Sequence, residues 1–178
     1  VEDITEQRQT RLDLHAEREA AVRREQERTL RQAQYLLQMA ERAASAGAWD
    51  WDLHTDRLNW SPALFHLFGL DPQRDQANFD TWRAVVHPED LPASERALDH
   101  AIRERHPFAM TYRIVRRTGE TRWIDAYGQV GIGADGKPSH FSGLCIDATV
   151  RHHNEAHIRQ LNAELESKVI ARTAELAQ

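Results

Sequence analysis

Two histidines, His153 and His157, stand four residues apart in "HHNEAH", a spacing that puts both imidazoles on one face of a helix, where they could grip a metal ion. The run lacks the His-Glu-x-x-His order of zinc proteases and offers no third ligand, so it reads as a solvated helix face, and no metal site is expected. Cys145 is the single cysteine and lies in an alternating apolar stretch, which excludes an internal disulfide and fits a reducing compartment. His87, just before Pro88, reads as a helix entry. There is no glycine-rich loop to cradle phosphate and no nucleophile with a base and an orienting partner. A His-Glu-x-x-Arg-Thr-Pro-Leu box to accept a phosphoryl group is absent as well. These residues point to a chain that is not itself an enzyme. Asp147 and Thr149 stand out for another reason. They fall where the last apolar strand hands over to a long helix, and a carboxylate there can cap free backbone N–H groups and pair with an arginine.

The elements that would hold these residues follow from pattern. The chain has 178 residues, 40% of them hydrophobic and 29% charged, with five Trp, which suits one ordinary domain carrying long polar helices. A net charge of −5 with acidic and basic residues interleaved gives no case for nucleic acid. No run approaches the roughly 20 apolar residues of a membrane helix, and no signal-peptide core is present, so a cytoplasmic location without membrane contact is expected.

Residues 6–46 are rich in Ala, Arg, Glu and Gln and predict a long exposed linker helix. Its apolar spacing sharpens at Leu30, Ala33, Leu37, Ala40 and Ala44, a coiled-coil seam or a docked face. "AWDWDL" and "DRLNWS" alternate as strands. "SPALFHLFGL" carries Ser61 as N-cap, Pro62 at the first helical position and Gly69 as stop. "NFDTWRAVV" reads as a further short helix. "HPEDLPASERALDHAIRER" reads as another helix, with Pro88, Glu89 and Asp90 in its first turn. Three strands follow, turning at Thr118-Gly119-Glu120 and Asp135-Gly136. From Val150 on, a helix carries the seam Ile158, Asn162, Leu165, Val169, Arg172, Leu176. That is a heptad pattern in which a core Asn can fix parallel register.

Strand parity sorts the candidate lining. Met110, Tyr112 and Ile114 alternate with Thr111 and Arg113, and Ile124, Ala126 and Gly128 alternate with Trp123, Asp125 and Tyr127. The charge-free set should face the helices and meet Phe65, Phe68 and Trp82 there. Trp123 and Tyr127 fall on the outer face among polar residues, which implies a cover such as the N-terminal helix or a second subunit.

The pieces "GAWDWDLHTDRLNWS", "LFGLDP", "TWRAVVHPEDLP", "FAMTYRIVRRTGETRWI", "GADGKP" and "GLCIDATVR" together resemble a PAS domain of the PAS-PAC type, over about residues 45–151. The resemblance implies an α+β fold. A five-stranded antiparallel sheet would have short helices on one face around a pocket, over residues 47–149, flanked by long helices. It also implies that Cys145 rather than Ile146 points inward, so that Gly143 and Cys145 join the lining, with small residues at 126, 128 and 143 leaving room for a ligand. Asp147-Ala148-Thr149 resembles the family's Asp-Ile-Thr exit motif. Asp3-Ile4-Thr5 resembles the same motif, which makes residues 1–5 the expected end of a preceding PAS domain.

"LNAELESKVIARTAEL" is similar to the signalling helix, here 150–178, that precedes the dimerisation domain of sensor histidine kinases and also feeds diguanylate cyclases. Flavin-binding relatives carry a reactive Cys on a helix, and the cysteine here is on a strand, which argues against flavin. Haem-binding relatives use a His of the long helix, and His100 is the residue in that place, so a haem sensor is an alternative. The expected function is a sensory and dimerisation module of a multidomain signalling protein, without a specific cofactor. It would work as a parallel homodimer beside neighbouring PAS and output domains, with a histidine kinase as output. The alternatives are a ligand-free dimerisation spacer and a regulator of a diguanylate cyclase.

Overall fold

The computed structural model describes residues 2–176 and divides into two units at Ala40/Glu41. The first unit is most of α1 (Glu2–Ala43), an unbroken helix that includes residues 2–5, expected as the end of a preceding domain. Leu30 and Leu37 are exposed on it, as are Tyr35, Leu36 and Met39. Its ion pairs, His15–Glu19 and Arg31–Glu27, are solvent-exposed and contribute little.

The second unit holds β1 (Ala46–Asp52), β2 (Arg57–Trp60), α2 (Pro62–Phe68), α3 (Phe79–Val85), α4 (Leu91–Glu104), β3 (Phe108–Val115), β4 (Thr121–Ile132), β5 (Pro138–Asp147) and α5 (Thr149–Leu176). The five strands form one antiparallel sheet in the order β2-β1-β5-β4-β3, so the first long strand and the last are neighbours. At that seam Ala46 lies opposite Ile146, and the Asp147 N–H donates to the Ser45 carbonyl at 3.0 Å.

Local chemistry sets the element ends. The Ser61 hydroxyl accepts from the Leu64 N–H, Pro62 opens α2, and Gly69 closes it in the left-handed region at φ 74°. Asn78 caps α3 through the Thr81 N–H at 2.7 Å. α4 departs from the pattern expected over 87–105, because it begins at Leu91 and leaves Pro88, Glu89 and Asp90 ahead of it. The Asp90 carboxylate makes no cap bond and is drawn to Arg113 on β3, accepting from its backbone N–H at 2.8 Å and its Nη2 at 2.7 Å. The core lies between the sheet and α2–α4, with Phe68, Phe141, Leu64, Ile114 and Ile124 fully buried.

Candidate functional site: an aromatic cavity and its link to the exit helix

Cross-strand register places Trp49 opposite Trp60 and Gly143, Trp51 opposite Leu58 and Phe141, and Ala126 opposite Met110 and Cys145. Directly paired residues share a face, so all of these point toward the short helices. All but Met110 and Gly143 line a cavity of about 50 Å³, counted as room for the centres of water molecules, bounded on the helix side by Leu64, Phe68, Phe79, Trp82 and Leu98. Most of the wall is aromatic, and the rings meet edge to face, as in Trp49–Phe141 at 4.9 Å and Trp51–Phe79 at 4.6 Å. No charged side chain lines it.

Phe68, Trp82, Tyr112, Ala126 and Cys145 are the expected residues that the structure brings to this cavity. Phe65, Met110, Ile114, Ile124, Gly128 and Gly143 do not line it. Phe65 stands behind Trp60, its ring edge to face at 5.2 Å, and Ile114 and Ile124 are buried in the core beside the cavity. The space over Gly128 and Gly143, expected for a ligand, belongs to Trp49, whose ring lies 2.6 Å from where a Cβ on either glycine would sit. Trp49, Trp51, Leu58, Trp60, Leu64, Phe79, Leu98, Phe108 and Phe141 were not anticipated. The alternation of β5 carries a signal for Phe141, which has the parity of Cys145. The tryptophans needed the β1–β5 register, which no local pattern reports.

The cavity's polar atoms are few. The Tyr112 hydroxyl accepts from Trp82 Nε1 at 3.4 Å and lies 3.8 Å from Cys145 Sγ. Burial pushes the Tyr112 phenol well above its usual range and the Cys145 thiol up to about 12, so both stay protonated. A protonated, buried thiol on a strand is not a reactive thiolate.

A continuous polar chain leads from the cavity's roof to the exit helix. Arg116 donates from Nη2 to the Leu67 carbonyl at 2.7 Å and to the His66 carbonyl at 3.2 Å, acceptors at the C-terminus of α2, where His66 also takes the Gly69 N–H. Its Nη1 meets Glu120 at 3.1 Å, and Glu120 takes Arg122 Nε at 3.0 Å. Arg122 Nη1 reaches Asp147 at 2.6 Å. The other oxygen of Asp147 accepts from the Thr149 N–H at 3.0 Å, and Thr149 Oγ1 accepts from the Trp123 N–H at 3.0 Å. Burial would raise the Asp147 carboxyl, but the bonds from Thr149 and Arg122 outweigh it and hold the group below the usual carboxylate range.

On the outer face Trp123 lies against α5. His152 stacks on it at 4.3 Å and 7°, and the Arg113 guanidinium lies 5.7 Å from the ring centre. Tyr127 and its cross-strand partner Leu144 remain exposed.

The sequence model of the family described as PAS fold matches residues 57–145, half of the chain. The chain belongs to the PAS family. Among curated relatives of this PAS chain, a probable diguanylate cyclase of Escherichia coli, DgcE, is 29% identical over 66% of the chain and 11% of its own length. A blue-light-activated histidine kinase of Brucella anthropi is 28% identical over 86% of the chain and 30% of its own length. The sensor protein FixL of Bradyrhizobium diazoefficiens is 26% identical over 68% of the chain and 24% of its own length. The PAS chain thus spans less than a third of each of these relatives. A crystal structure from Burkholderia thailandensis, of a sensory box histidine kinase/response regulator, superposes with a TM-score of 0.61 at 29% identity, covering 74% of this chain and 98% of that one.

Neither prosthetic group that the family suggests fits this PAS cavity. A flavin or porphyrin exceeds its room, and Cys145 is the wrong kind of thiol for a flavin adduct. His100 lies exposed on α4, stacked against His106 at 6.2 Å, and does not line the cavity. His87, Glu89 and Asp90 approach one another closely enough to suggest a cation site, but the Arg113 guanidinium already takes both carboxylates. His153 and His157 are exposed on α5, and no described helix is long and apolar enough to cross a membrane.

Proposed function

We propose that this PAS chain is the sensory module of a longer signalling protein, with occupancy of the aromatic cavity as its input and the orientation of α5 as its output. The observation that carries this reading is the unbroken path from the carbonyls of α2, whose Leu64 and Phe68 face the cavity, through Arg116, Glu120, Arg122 and Asp147 to the first turn of α5. A guest that displaces α2 pulls on Arg116, and the strain arrives where Asp147 and Thr149 fix the start of the exit helix.

α5 then acts through a parallel homodimer. Ile158, Leu165 and Val169 are exposed along one seam, Asn162 is a polar register point within it, and Leu176 extends it with its side chain outside the described residues. Leu30 and Leu37 on α1 form the corresponding input seam, and residues 1–5 continue from a preceding domain. A histidine kinase is the output we favour, since two of the three relatives above are a histidine kinase and a sensor protein. A diguanylate cyclase is the second reading, carried by the likeness to DgcE.

The test is Asp147→Asn in the longer protein. Signal-dependent output should fall at least fivefold while the domain still unfolds cooperatively, and a full response would sink the route. In sedimentation, replacing Leu165 and Val169 by Lys should convert dimer to monomer, and an unchanged dimer would rule out the seam.

A further inference from the structure

We infer that, given the sensory reading above, the cavity takes a small, flat, uncharged aromatic molecule of one ring bearing a single oxygen acceptor, which the Tyr112 hydroxyl holds.

Size comes first. A water needs about 10–15 Å³ of centre volume, so about 50 Å³ holds only a few waters, the room of one ring rather than of a fused three-ring system. Shape follows from the walls. Trp60 meets Phe68 at 5.3 Å and 90°, and Trp49 meets Phe141 at 65°, so ring edges and faces are already offered in the orientations aromatic quadrupoles prefer. Charge is excluded, because a carboxylate or ammonium brought inside would lose its water and find no counter-charge.

Polarity is set by the donors on the wall, which are the indole N–H groups and the Tyr112 hydroxyl. The Trp51 indole N–H is engaged outward, donating to Asp56 at 2.9 Å. The Trp82 N–H is spent on the Tyr112 oxygen. The Trp49 N–H faces the Cys145 sulfur, and the Tyr112 hydroxyl proton has that same sulfur, 3.8 Å away and a weak acceptor, as its partner. A ligand carbonyl or phenol oxygen replaces a poor partner with a good one, and this gain separates oxygenated rings from plain hydrocarbons.

Calorimetric titration of the 178-residue chain with acetophenone, toluene and benzoate tests the inference. Acetophenone should bind saturably and toluene up to about tenfold more weakly, the difference expected of one net hydrogen bond. Benzoate should not bind. In Tyr112→Phe the advantage of acetophenone should vanish while toluene is unaffected. Ala126→Leu, which fills the space, should abolish binding of both, and Leu98→Phe is a second filler if that variant fails to fold. Benzoate binding as well as acetophenone, an advantage that survives in Tyr112→Phe, or no aromatic binding at all would overturn the ligand class. If no probe binds while Asp147→Asn still silences the longer protein, the ligand class fails and the sensory route stands. If acetophenone binds as described but neither it nor Asp147→Asn changes output, the sensory reading fails and the ligand class stands.

Discussion

Turned toward the short helices, Trp49, Trp51, Trp60, Tyr112 and Phe141 pack ring on ring with no charge among them. Turned away, Asp50 holds Ser142 and His140, Asp125 holds Thr111 and Arg151, and Arg113 and His152 flank Trp123. One face is held by burial, which is non-directional and indifferent to pH near neutrality. The other is held by directional, charge-dependent bonds to the segment just before α4 and to α5. The same strands carry both, one residue apart: Tyr112 beside Arg113, and Ile124 beside Trp123. A strand that moves to admit a guest therefore moves the contacts that seat the exit helix.

The largest expected break in this contrast is Gly143→Ala. A Cβ there would sit 2.6 Å from the Trp49 ring and collide with the Tyr127 backbone oxygen, so the variant should lose about 3 kcal/mol or more in urea unfolding, if it folds at all. Asp90→Asn should come next at about 2 kcal/mol, since Asp90 takes three bonds from Arg113.

The two faces should also answer pH at opposite ends. The bonds from Arg113 hold the Asp90 carboxyl low, and those from Thr149 and Arg122 hold Asp147 low against the pull of burial. Their stabilisation is present above the unfolded value of about 3.9 and is lost as pH falls through the lower folded values. Cys145, raised from 9.0 to about 12 by burial, works the other way. Its contribution is full below pH 9 and declines as pH rises toward 12. Denaturant midpoints should fall at both extremes, with a shallower acid slope in Asp90→Asn and a shallower alkaline slope in Cys145→Ala. Trp123→Ala should cost about 1 kcal/mol through the lost stack on His152. Smallest of all, Tyr127→Thr with Leu144→Thr should leave stability within about 0.5 kcal/mol, since both are exposed.

Much of this architecture is legible in the sequence. Ser61, Pro62 and Gly69 announce α2 because capping is local chemistry, and the turns at Gly119 and Gly136 take the positive φ that their neighbours suggest. Alternation on β3 and β4 placed Tyr112 and Ala126 inside, because a one-residue slip would bury Arg113. What stayed hidden depended on pairs far apart in the chain. Trp49 and Trp51 acquire a face only when β1 lies against β5, and Gly128 and Gly143 become floor for Trp49 only in that register. Arg116 carried no motif, since what ties it to α2 is a pair of backbone carbonyls, and carbonyls have no letter in a sequence.

The neighbouring position of β1 and β5 has a mechanical consequence. The chain enters and leaves the sheet at the same end of the ladder between them, with Ala46 beside Ile146 and the Ser45 carbonyl on the Asp147 N–H. Tension applied through the two flanking helices would load that last pair first and then each rung in turn, as a zipper opens, rather than shearing the rungs together. Across its own entry and exit the module yields to small forces, while the strands farther in stay paired.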